Sequence, residues 1–298
     1  MTEAPRVLLV TSQGSSPASV VPVLAAVECA GLRLRAIDVG RVGARSEGTV
    51  ERMIRAVFGE IAERRLGREL NSNPPDVVVA FDPGAAQALT VARDSAQRPA
   101  PVVGVIDDLQ PMKEWAATDA DRFLVVDDEA AVALADHGVE ADRIVAVGPI
   151  APAGYPDAGR QTRESLRARF KIAGRAVVLV EVAGLGYDVT SQLSLQLSLT
   201  DADADVTYLF DAGTDSDAAT ALRRQVPTLG LRAKLFGRSP EAPLYWRCAD
   251  VVVARPRGDA VARALAVGAR MVCFGSDDRT GEALTRALEA RGLATAAA

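Results

Sequence analysis

The first places where this chain could do chemistry are glycine turns that follow short apolar runs. Gly14 follows Arg6 to Val10, Gly184 and Gly186 follow Ala176 to Val182, and Gly213 follows Val206 to Phe210. Glycine there lets backbone N–H groups at a helix N-terminus approach a phosphate, and it also serves simply to turn the chain. Neither GxGxxG nor the P-loop lysine pattern occurs, which disfavours a nicotinamide or ATP enzyme. A second candidate is Asp107-Asp108, after the run Val102 to Ile106. Asp108, at the C-terminal edge of a sheet, can accept a proton from an acceptor hydroxyl or cap a helix, and both readings stay open. Trp115 either lines the same edge or packs, with packing favoured.

The single histidine, His137, sits in Ala135-Asp136-His137-Gly138. That is a helix C-terminus, where histidine serves the helix dipole. No Ser/His/Asp or Cys/His constellation can then be assembled. The three cysteines, Cys29, Cys248 and Cys273, are far apart and lack metal-ligand spacing, so no metal site is expected and they read as reduced small hydrophobes.

These residues need a scaffold, and the hydrophobic pattern supplies one. Strand-length runs at Arg6 to Val10, Leu34 to Val39, Asp76 to Ala80, Val102 to Ile106, Arg122 to Val126 and Arg143 to Val147 alternate with helical segments. That alternation marks parallel βαβ units. Gly148 to Gly159 is rich in Pro, Gly and Ala and reads as a linker. The pattern then restarts with strands at Ala176 to Val182, Val206 to Phe210, Ala233 to Phe236, Asp250 to Ala254 and Met271 to Phe274. The expected fold is α/β: two Rossmann-type doubly wound domains, 1–150 and 160–298, facing a cleft fed by the C-terminal ends of both sheets.

Composition narrows the function classes. The 298 residues carry a net charge of −5, which argues against a nucleic-acid partner. Between residues 51 and 69, Arg52, Arg55, Arg64, Arg65 and Arg68 mix with Glu51, Glu60, Glu63 and Glu69. This reads as a solvated helix face, with a membrane-surface helix on Met53, Ile54, Val57, Phe58 and Ile61 as the alternative. No apolar run reaches the length of a membrane span, and a strand starts almost at once, so a cytoplasmic location is expected.

Several stretches together resemble a known family. Val105-Ile106-Asp107-Asp108-Leu109 with Trp115, Asp121-Arg122-Phe123-Leu124-Val125, and Arg143 to Ile150 look like segments of monogalactosyldiacylglycerol synthase. Gly237 to Asp250 resembles that family's "GF…aAD" segment, and Arg255-Pro256-Arg257-Gly258-Asp259-Ala260 through Gly268 its donor loop, "KPGGxTxxEALAxG". The chain is thus similar to the glycosyltransferases of GT-B fold that include this synthase and MurG. The resemblance implies a nucleotide-sugar donor, usually uridine-linked, held by the second domain, and an acceptor in the first, near Gly14, Ser15, Ser16 and Trp115. No metal cofactor is implied, because helix N-termini and backbone amides neutralise the leaving diphosphate.

The departures from the pattern fall on reactive positions. Ser15 stands where the family has histidine, Arg257 replaces the first glycine of the donor loop before Gly258, Ala260 its threonine, and Arg263 its ribose-binding glutamate. Arginine has no acceptor, and two lost hydrogen bonds of this kind cost about 3–5 kcal/mol. One reading is therefore a degenerate glycosyltransferase kept for binding a protein partner or a changed ligand. The other is an active enzyme whose Arg255, Arg257 and Arg263 grip the diphosphate of a UDP-sugar, alongside Gly184, Gly186, Gly213 and Gly258, with Asp108 as base.

Overall fold

The computed structural model describes residues 4–12, 20, 22–24, 26–27, 30–39, 63–94, 96–200, 205–275 and 279–297. The chain divides into two units, Met1–Ile150 and Ala151–Ala298.

The first unit holds strands β1 (Arg6–Thr11), β2 (Arg33–Asp38), β3 (Val77–Ala80), β4 (Val102–Ile106), β5 (Arg122–Val125) and β6 (Ile144–Ala146). They form one sheet in the order β2-β1-β3-β4-β5-β6, with every pairing parallel. Central strands of such a sheet are covered on both faces, so the runs Val-Leu-Leu-Val and Val-Val-Val-Ala are buried almost throughout. Helices α1 (Pro83–Asp94) and α2 (Asp128–Asp136) and a 3₁₀ turn (Lys113–Ala117) are among the connections. Residues 63–72 are helical, and residues 51–62 of the expected solvated helix face, with the whole apolar stripe of its alternative, lie outside the described residues.

Gly104 explains one packing choice in this sheet. A Cβ there would lie 2.9 Å from Trp115 and 3.0 Å from Phe123. A glycine inside a strand marks a close approach, here by the edge-to-face pair Trp115–Phe123, with centroids 6.0 Å apart.

The second unit contains α3 (Tyr155–Gly159), α4 (Arg163–Arg169), β7 (Ala176–Glu181), α5 (Gly186–Thr200), β8 (Val206–Asp211) and α6 (Ser216–Leu229). β9 (Ala233–Phe236), α7 (Ala242–Cys248), β10 (Val251–Ala254), α8 (Gly258–Ala266), β11 (Arg270–Cys273), α9 (Arg279–Ala290) and β12 (Ala294–Ala296) follow. Its sheet runs β12-β11-β10-β7-β8-β9, again all parallel. The first strand of the unit is therefore central, and the winding direction reverses between β7 and β10.

Two elements differ from the sequence reading. β12 was not expected, since Ala-Thr-Ala carries little β propensity. It forms because it pairs with β11, and Ala297 N–H donates to Cys273 O at 2.7 Å. Residues 151–159 are not a bare linker: α3 buries Tyr155 and Ala158. A Cβ on Gly159 would come within 2.3 Å of Ala266 O, so only glycine lets α3 lie this close to the end of α8.

Below both sheets an aspartate just before one strand ties the start of its neighbour. Asp76 accepts from Arg6 N–H at 2.8 Å and Asp121 from Val102 N–H at 2.7 Å. Asp250 accepts from Val177 N–H at 2.8 Å and Asp205 from Arg175 N–H at 3.0 Å. Each carboxylate also meets an arginine, namely Arg6, Arg93, Arg167 and Arg232 respectively.

Candidate functional site

In open parallel sheets ligands collect beyond the strand C-termini where the winding reverses. In the second unit that point lies between β7 and β10. β7 ends in Glu181 and leads into the turn Val182–Leu185, and β10 leads through Arg255, Pro256 and Arg257 into α8.

A buried charge cluster occupies this point. Glu181 is 4% exposed, and one of its oxygens lies 3.1 Å from an Arg263 guanidinium nitrogen. The same oxygen has no hydrogen bond, so the contact is charge attraction without alignment. Arg263 also pairs with the Asp259 carboxylate, and its Nε–H donates to Asp259 O at 3.1 Å. Its guanidinium lies 5.0 Å from the centroid of the fully buried Trp246 ring. Trp246 Nε1–H donates to Asp211 Oδ2 at 2.8 Å, and Tyr155 stands edge-on to the indole at 5.8 Å.

The electrostatics follow from three carboxylates sharing one guanidinium. Burial pushes Glu181 up to about 7, against the pull of Arg263 and helped by the negative charge of Asp259. Burial also raises Asp211, although bonds from Trp246 and Gly213 work the other way. Arg263 loses hydration but is held charged by Glu181 first and then by its other neighbours. Burial takes the Tyr155 hydroxyl up to about 12. Arg263 is over-supplied with anions, and Asp259 draws on Arg257 as well.

The glycine amides already have carboxylate partners. Gly184 and Gly186 donate their N–H groups to Asp215 Oδ2 at 2.9 and 3.0 Å. Gly213 donates to Asp211 Oδ1 at 2.9 Å. Arg255 donates to Gly184 O at 2.9 Å and so clasps the same turn from the other side. Arg257 and Gly258 are exposed at the start of α8, with Arg257 Nε 3.7 Å from Asp259.

Gly14, Ser15 and Ser16, between β1 and the helix that follows, lie outside the described residues. Asp82, just beyond β3, is buried and caps α1 by accepting from Ala85 N–H at 2.8 Å. Asp108 is exposed and Asp107 half-buried after β4. Trp115 is 1% exposed and packs in the core. His137 caps the C-terminus of α2, and its Nε2 lies 3.2 Å from Pro111 O, tying the loop that carries Asp107 and Asp108 to that helix.

The structure therefore brings Arg255, Arg257, Gly258, Arg263, Gly184 and Gly186 to one sheet edge. It adds Glu181, Asp211, Asp215, Asp259, Tyr155 and Trp246, which sequence reasoning did not single out. A signal for two of them exists: Glu181 and Asp211 are acids closing otherwise apolar strands. Among the described residues no cluster of His, Cys, Asp or Glu is placed to hold a metal ion, and no helix is long and apolar enough to cross a membrane. Cys248 and Cys273 are buried free thiols.

Comparison with known proteins agrees with this architecture. The family model for monogalactosyldiacylglycerol (MGDG) synthase matches residues 43–150. No curated protein matches the chain. Among solved structures, Acinetobacter baumannii MurG is 13% identical over 98% of this chain and 86% of that one, with a TM-score of 0.64. The glycosyltransferase SnogD from Streptomyces nogalater is 16% identical over 99% and 87%, with a TM-score of 0.53. S. aureus MnaA, solved with UDP, is 11% identical over 91% and 80%, with a TM-score of 0.53. At these identities the likeness is one of fold.

Proposed function

Taking the chain as a glycosyltransferase-like protein of GT-B fold, we propose that it retains little or no sugar transfer and serves a binding or regulatory role in the cytoplasm. The observation that carries this reading is the commitment of Arg263 to Glu181 and Asp259. The resemblance implies a ribose-binding acid at this position. Arginine cannot accept a ribose hydroxyl's hydrogen bond, and this one is spent on its own unit. Freeing it would strand the buried Glu181 without its ion-pair partner, a loss no single ligand contact offsets. The chemistry left to the edge is recognition through Arg257 and the first amides of α8, with a protein or an altered anionic ligand as partner.

The second reading, an active transferase using a UDP-sugar and a lipid or small-molecule acceptor, is favoured by the exposed Arg257–Gly258 pair. A guanidinium beside a helix N-terminus suits a diphosphate. Asp108 would then take the acceptor proton, and contact with a membrane surface would deliver a lipid.

Thermal melts with millimolar uridine and guanosine diphosphates and their sugars separate the two. A ligand at about 100 times its Kd stabilises by about 2.7 kcal/mol. The degenerate reading expects an unchanged melt across the panel. A clear rise with any nucleotide, abolished by Arg257→Ala, would overturn it.

A further inference from the structure

We propose that Asp215 is a specificity-determining residue whose carboxylate holds the glycine turn after β7 closed to phosphate groups. This deepens the reading above and rests on it for the class of ligand excluded.

The carboxylate divides its work between its two oxygens. Oδ1 accepts from Asp217 N–H at 3.1 Å and Ala218 N–H at 2.9 Å, the ordinary cap of α6. Oδ2 faces the opposite way and takes both Gly184 N–H and Gly186 N–H. One anion therefore sits between the N-termini of two helices, α5 and α6, and four backbone donors converge on it. Both helix dipoles favour a negative charge at that spot. The bonds from Ala218, Gly186, Gly184 and Asp217 hold the carboxyl below the usual carboxylate range, so it stays ionised at neutral pH.

An incoming phosphate would meet satisfied donors and a like charge. The turn itself is also fixed: Gly184 and Gly186 have φ of 77° and 69°, the left-handed region that favours glycine. Arg255 holds the carbonyl of Gly184 from the other side. A helix cap alone needs only Oδ1; the second oxygen is what closes the turn.

The test uses the full chain, with pyrophosphate as the probe. Asp215→Ser keeps a good helix cap, but its hydroxyl is too short to span to the glycine amides. Asp215→Asn is the second variant, because it supplies one acceptor oxygen where the native residue supplies two. Amide resonances of Gly184 and Gly186 are followed in ¹⁵N-labelled protein during titration. The expected result is unmoved resonances in the native chain and saturable movement in Asp215→Ser. Two regained charged hydrogen bonds correspond to a gain in affinity of about tenfold or more. Movement of both resonances in the native chain would overturn the proposal. So would their immobility in both variants, once circular dichroism and melting show them folded. If the native chain binds or transfers a UDP-sugar while these two resonances stay still, the functional reading above falls and this one stands.

Discussion

At the N-terminal ends of their strands the two units use the same device, and at the C-terminal ends they part. Below the sheets, Asp76, Asp121, Asp205 and Asp250 each accept a backbone N–H at the start of a neighbouring strand and each meet an arginine. Above the first sheet, Asp82 and Asp127 each cap the helix that follows, accepting from Ala85 and Ala130 N–H. Above the second, Glu181, Asp211 and Asp259 gather around Arg263, and Asp215 bridges two helices. The lower edge is built for stability in both units. The upper edge of the second unit holds two buried acids, Glu181 and Asp211, and that is where a departure from the common plan can bear on ligands.

The sharpest way to break this contrast is Arg263→Met, which leaves the buried acids Glu181 and Asp211 without their shared cation. It should cost about 3–5 kcal/mol, as removing one partner of a buried ion pair does. Urea unfolding reads it unit by unit, since Trp115 lies in the first and Trp246 in the second. A loss below about 1 kcal/mol would mean the cluster is solvated, and the contrast would disappear.

Gly159→Ala calibrates that effect within the same unit without touching charge. The new methyl would collide with Ala266 O, and overpacking of this kind costs about 1–3 kcal/mol. Its melting temperature should fall by less than that of Arg263→Met.

The shared device is tested by Asp121→Ala and Asp250→Ala. Each removes an acceptor from one strand-start amide and an ion pair with Arg93 or Arg167, worth about 1–2 kcal/mol. Equal losses in the two units would confirm a common role. A markedly greater loss in one would show that the likeness is geometric only.

The smallest effect is a slope with pH. Glu181 rises from 4.5 to about 7 on folding. Between those values the folded chain keeps a proton that the unfolded chain has released, so stability falls as pH rises through the window and levels off above it. Glu181→Gln should flatten that part of the profile. An identical profile in both proteins would place the carboxyl in contact with water.

Much of this was legible locally. Runs such as Val102–Ile106 and Ala233–Phe236 are strands with the bounds their apolar residues suggested. His137 closes a helix as its neighbours required. β12 was not legible, because Ala-Thr-Ala becomes a strand only when β11 offers its edge.

The amino-acid order by itself determined the alternation of strand and helix, the two repeats of that alternation and the glycines that turn the chain, since each depends on residues a few positions apart. Only the tertiary structure decided that Arg263 answers Glu181 rather than a ligand, and that Asp215 takes the amides of Gly184 and Gly186. Those pairs come from distant parts of the chain, joined by the crossover order of the second sheet. Burial then raised Glu181 while backbone hydrogen bonds lowered Asp215, because the cost of a carboxylate's charge is a property of its surroundings and not of its type.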